Sequence, residues 1–107
     1  MKKKLEILSD LKKRLFKKFG NIFEDIILFG SQINGSASDD SDYDILIILQ
    51  NDYDWKIKDE IYSECYNIEL AENVLFDINI ISENELKNSL RGKQPFILNA
   101  INSGIKI

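Results

Sequence analysis

Apolar residues recur at spacings of three and four over residues 3–19, where Leu5, Leu8, Leu11, Leu15 and Phe19 line one face of an amphipathic helix. Gly20 and Asn21 stop it, since both tolerate the left-handed conformation found just past helix ends. The pattern then changes period. Ile26-Ile27-Leu28-Phe29 is a short apolar run ending at Gly30 and predicts a buried strand, and Asn34 to Ser41 is turn chemistry that predicts an exposed loop. Asp42 to Leu49 reads as a second strand. After a break at Asn51 to Asp54, Ile57, Ile61, Cys65 and Ile68 mark one face of a helix over 55–71, and Val74 to Ile81 reads as a third strand. Ser82 with Glu85 three residues on has the form of a capping box, and a short helix is expected between Pro95 and Gly104.

Strands alternating with helices imply an α/β (α+β) domain with a small mixed sheet of three or four strands and helices mainly on one face. No linker or repeat interrupts the 107 residues, so residues 1–107 are expected to form a single domain. Alternation along the strands puts Asp42 and Asp44 on one face with Leu46 and Ile48, and Asp77 on one face with Leu75, Asn79 and Ile81. If every helix packs on the opposite side, the carboxylate face keeps an uncovered apolar patch, the usual mark of a partner surface.

Composition narrows the chemistry. One cysteine and no histidine remove Cys/His zinc sites, internal disulfides and imidazole-based catalysis, leaving carboxylates, hydroxyls, amides, lysines or an oxygen-held metal. The net charge of −4 is unevenly spread. Residues 1–18 hold eight Lys/Arg against Glu6 and Asp10, whereas the remainder holds six Lys/Arg against sixteen Asp/Glu. The basic helix reads as a solvated face offsetting an acidic body, and without interleaved aromatics it argues against nucleic acid as a partner. No apolar run approaches the ~18 residues that span a bilayer. A reduced, cytoplasmic protein with no membrane association is expected, its oligomeric state left open.

The informative stretch is Gly30-Ser31, ten intervening residues, then Asp42-Tyr43-Asp44. Chance alone yields this pattern roughly 0.003 times in a chain of this composition. Carboxylates two apart on a strand project together and can hold a divalent cation; magnesium favours such hard oxygen ligands plus substrate phosphates. Asp77 sits inside another apolar strand and could complete a three-carboxylate site of the two-metal type. At the Gly30-Ser31 bend, glycine admits phosphate close to the backbone while amides and the Ser31 hydroxyl grip it. Plainer accounts remain: a turn-ending acidic pair, a helix cap at Ser31, and an edge-strand carboxylate at Asp77.

These residues resemble the signature of the polymerase-β-like nucleotidyltransferase superfamily, and the chain's compactness is similar to its minimal nucleotidyltransferase branch. The resemblance implies that fold, with Gly30, Ser31 and Gln32 on the nucleotide phosphates, Asp42 and Asp44 binding Mg2+, and Asp77 as third ligand or base. It also implies ATP as the nucleotide and, for an antitoxin-type member, a HEPN-domain toxin as partner, neutralised by transfer of AMP to a tyrosine. A catalytically idle, antitoxin-like binding module is the alternative. Many members carry arginine directly after Gly-Ser and again two residues later; here Gln32 and Asn34 stand there, with Lys56, Lys58, Arg91 or Lys93 as conceivable substitutes.

Overall fold

The computed structural model describes residues 4–30 and 43–107. The elements are α1 (Lys4–Phe19), β1 (Phe23–Phe29), β2 (Tyr43–Leu49), α2 (Trp55–Glu72), β3 (Phe76–Ser82), α3 (Glu83–Asn88), α4 (Pro95–Ser103) and β4 (Ile105–Lys106). They build a four-stranded mixed sheet in the order β3-β2-β1-β4. β1 pairs antiparallel with β2 and β4, while β2 and β3, joined through α2, run parallel. The sequence pattern did not mark β4, which is two residues long and held by main-chain pairing that leaves no apolar period.

The two long helices share one face of the sheet. Leu8, Leu11 and Leu15 of α1 and Ile61, Cys65 and Ile68 of α2 pack on Ile26, Leu28, Ile45, Ile47 and Ile80 in the larger core. Half of the basic residues of α1 meet acidic partners: Arg14 and Lys18 both reach Glu64 of α2, at 2.9 and 3.4 Å, and Lys12 reaches Asp25 at 3.1 Å. Arg14 and Lys18 hold the Glu64 carboxyl below its ordinary value against the opposing effect of burial. These contacts fit a face that offsets the acidic body.

The other sheet face is not bare. Ile97 and Ala100 of α4 cover Ile27, Leu46, Ile48 and Ile81. The apolar patch expected beside the carboxylates is therefore closed by the chain's own α4, whose alternation of buried and exposed positions was too short to assign to either face. Pro95 starts that helix and Gly104 ends it, its amide donating to the Ala100 carbonyl at 2.9 Å.

Ser82 joins β3 to α3. Its buried hydroxyl donates to Asp52 at 2.8 Å and accepts from the Glu85 amide at 3.1 Å, while Glu85 accepts from the Ser82 amide. Ser82→Ala leaves the Asp52 carboxylate and the Glu85 amide without this partner and is expected to cost about 1–2 kcal/mol in urea denaturation.

Glu24 of β1 and Glu83 of α3 also meet near this end of the sheet. Burial, then the hydrogen bond and like charge of Glu83, push the Glu24 carboxyl from 4.5 up to about 7, against the pull of Lys106. The folded chain thus holds this proton more tightly than the unfolded chain. The stability it confers is full below pH 4.5 and is lost as pH rises through about 7. Glu24→Gln should flatten that dependence and stabilise the protein at about pH 8, measured by urea denaturation at about pH 5 and about pH 8.

Candidate active site

The site residues stand where β1 ends and β2 and β3 begin. Parallel pairing aligns Asp44 with Asp77, and antiparallel pairing aligns Phe29 with Asp44. Register partners project from one face, so the three form a row across neighbouring strands, each about 4.8 Å from the next. The opposite face sets that register. Tyr43 and Phe76 are also partners, both buried, and their rings meet edge to face with centroids 5.8 Å apart. The Tyr43 amide donates to the Leu75 carbonyl at 2.8 Å, and the Phe76 amide donates to Glu69 at 2.8 Å. A one-residue slip of β3 would drive Asp77 into the core and Phe76 into water. Burying the two rings therefore holds the two carboxylates side by side.

Gly30 completes the arrangement. Its φ of +78° is left-handed, and a Cβ added there would fall on the Asp44 carboxylate oxygen Oδ2. Only glycine lets the chain leave β1 along this path and pass so close to Asp44. The structure thus brings Gly30, Asp44 and Asp77 together. Ser31, Gln32, Asn34 and Asp42 lie outside the described residues. Asp44 is half-buried, while Asp77 is exposed on the edge strand β3. Exposure at an edge also suits a carboxylate that merely faces water; its alignment with Asp44 does not follow from that account.

Like charges on adjacent strands repel, and an all-oxygen pair suits a hard divalent cation such as magnesium. Asp44 and Asp77 therefore fit one as donors. Among the described residues no three acidic or thiol side chains group as a metal site, and Asp42, the third carboxylate of the sequence pattern, is not among them.

The substitutes suggested for the missing arginines stand elsewhere. Lys56 and Lys58 begin α2, beyond the far end of β2, five residues or roughly 16 Å from Asp44. Arg91 is held by Glu85 and Tyr53, both at 3.2 Å, with Tyr53 donating to the Ile80 carbonyl. Lys93 follows in the same turn, Leu90–Lys93. Burial pushes the Cys65 thiol up to about 12, which makes it a packing residue rather than a nucleophile. Trp55, Tyr62 and Tyr66 are exposed. Sequence reasoning passed over Phe29, Tyr43 and Phe76. The signal for Phe29 was its place as the last apolar residue before Gly30, but no local pattern pairs Tyr43 with Phe76.

Residues 9–107 match the family model described as polymerase beta, nucleotidyltransferase. The chain belongs to this nucleotidyltransferase family. Among curated proteins no sequence matches. Two crystal structures share the fold of this nucleotidyltransferase. One, described as a toxin-antitoxin with AMP-PNP, aligns with a TM-score of 0.55 at 16% identity, over 91% of this chain and 69% of its own. The other, a putative nucleotidyltransferase from Sulfolobus solfataricus, aligns with a TM-score of 0.52 at 21% identity, over 79% and 72%. At these identities the likeness concerns the fold. Among the described residues no helix is long and apolar enough to cross a membrane.

Proposed function

We propose that this nucleotidyltransferase is a single-domain cytoplasmic antitoxin that transfers AMP from ATP to a hydroxyl of a macromolecular acceptor, a HEPN-type toxin. One observation carries the reading: Asp44 and Asp77 stand in register on one face, with Gly30 against the Asp44 carboxylate. The structural neighbour solved with AMP-PNP, an ATP analogue, and described as a toxin-antitoxin supports the nucleotide and the partner class.

In this reading Gly30, Ser31 and Gln32 bind the triphosphate, and Asp42, Asp44 and Asp77 hold magnesium. Bound there, the ion would neutralise phosphate charge and favour departure of pyrophosphate. Asp77, exposed at the sheet edge, faces an incoming acceptor and takes its hydroxyl proton. The hydroxyl oxygen forms a bond to the α-phosphorus as the bond to the pyrophosphate oxygen breaks. Orientation and preorganised charge supply most of the acceleration. A sheet of this size leaves little room for a separate small-molecule acceptor pocket, which favours a macromolecule.

The test is incubation with magnesium, a HEPN-type partner and ATP labelled at either the α- or the γ-phosphate. Label reaching the partner only from the α-position is expected; label from the γ-position, or none from either, would overturn the reading. The positions of Lys56, Lys58 and Arg91 away from the carboxylates favour one alternative, a partner-binding module with an idle site. Calorimetry separates the two, since the idle module binds the partner without magnesium-dependent ATP binding.

A further inference from the structure

Among the described residues β3 is an edge strand, paired with β2 alone. Its main-chain groups alternate in direction. The Tyr43 amide donates to the Leu75 carbonyl, so in this parallel ladder Leu75, Asp77, Asn79 and Ile81 turn their amides and carbonyls towards β2. Phe76, Ile78, Ile80 and Ser82 turn theirs outward. Edges of this kind commonly carry lysine or proline against strand addition. β3 has neither, and its one charge is Asp77. Side chains meet the outward groups instead. The Glu69 carboxylate of α2 accepts from the Phe76 amide at 2.8 Å, and the Tyr53 hydroxyl donates to the Ile80 carbonyl at 3.1 Å. Tyr53 is itself held, because its oxygen accepts from Arg91 at 3.2 Å and Arg91 pairs with Glu85 at 3.2 Å. Burial, then the Glu85 carboxylate, push the Tyr53 hydroxyl above its ordinary value, so it stays protonated and keeps donating. Ile80 is only 1% exposed although it lies on an edge, and Ile78, midway between the two contacts, is half-buried.

We infer that Tyr53 and Glu69 seal the outer edge of β3 against pairing with a second copy of this chain. Two β3 strands meeting antiparallel about a two-fold axis at Ile78 would each offer the Phe76 amide to the Ile80 carbonyl of the other. Those are the two groups already taken. Charge would not prevent that pairing, since Asp77 would stand opposite Asn79 of the other copy rather than its own twin. The seal serves the site. A strand added here would fill the place beyond Asp77 in the carboxylate row, the side from which an acceptor approaches. That use rests on the transferase reading above, whereas the seal itself does not.

Amide hydrogen exchange of the unaltered protein, followed by NMR, reads the edge directly. The Ile78 amide should exchange at least about tenfold faster than those of Asp77 and Asn79, which the ladder with β2 holds. Exchange as slow as theirs would mean that another strand already covers it, and would overturn the inference. Tyr53→Phe with Glu69→Ala removes both contacts, and sedimentation should then show self-association at least about tenfold stronger than in the unaltered protein. Adding Ile78→Pro should abolish that gain, because the Ile78 amide faces away from β2 and is needed only by an incoming strand. Association unchanged in the double variant overturns the inference, as does a gain that survives Ile78→Pro. Magnesium-dependent ATP binding by the unaltered protein tests the other reading separately: its absence would count against the transferase and not against the seal.

Discussion

Asp44→Asn is expected to lower AMP transfer by about 10³-fold or more while the fold survives, because Asn preserves the shape of the side chain and removes its charge. Asp77→Asn should cost about 10²–10⁴-fold, the range for losing a positioned base. Asp44 and Asp77 are register partners across β2 and β3; if they act as one unit, as the proposed function requires, the double variant should be scarcely worse than the more damaged single one. Initial rates of α-phosphate transfer measure all three. Thermal unfolding supplies a control independent of the acceptor. The unaltered protein, with two like charges in register, should gain stability on adding magnesium, and Asp44→Asn should gain much less. Equal stabilisation of both would mean that Asp44 does not take part in holding the ion.

Gly30→Ala should damage the same site by a different route. The left-handed φ of +78° disfavours alanine by about 1–2 kcal/mol. Beyond that, the new Cβ lands on the Asp44 carboxylate, so either the strand end or the side chain must shift. A displacement of about 1 Å at a catalytic group can cost about 10²-fold in rate. The expected variant is folded, destabilised by about 1–2 kcal/mol or somewhat more in urea, and weak in both magnesium-dependent ATP binding and transfer. Gly20→Ala is the comparison, since its φ of +58° is also left-handed but nothing lies within 4 Å of its would-be Cβ. If the two variants lose ATP binding equally, backbone strain rather than contact with Asp44 is responsible.

Helices α1, α2 and α4, strands β1 to β3 and the capping box at Ser82 were legible in the sequence because each has a local cause: a 3.6-residue period, an apolar run, or a pair of capping side chains. Asp44 and Asp77 were likewise legible as a carboxylate in each of two apolar strands. Their alignment was not. Tyr43 and Phe76 are 33 positions apart in the chain, and only packing their rings into one core brings Asp44 beside Asp77 rather than a residue out of step. The coverage of the carboxylate face was equally hidden, because α4 has nine residues and exposed apolar positions on either side of its buried stripe.

The sequence alone therefore determined which elements form, the two-residue β4 excepted, and which side chains could do chemistry, because periodicity and residue type are local properties. The tertiary structure decided which of those side chains are neighbours: the Asp44–Asp77 register, the closeness of Gly30 to Asp44, and the placing of Arg91 with Glu85 at the far end of the sheet. Those choices rest on burial summed over distant segments, and a one-residue change in pairing, invisible to any local pattern, would reverse them.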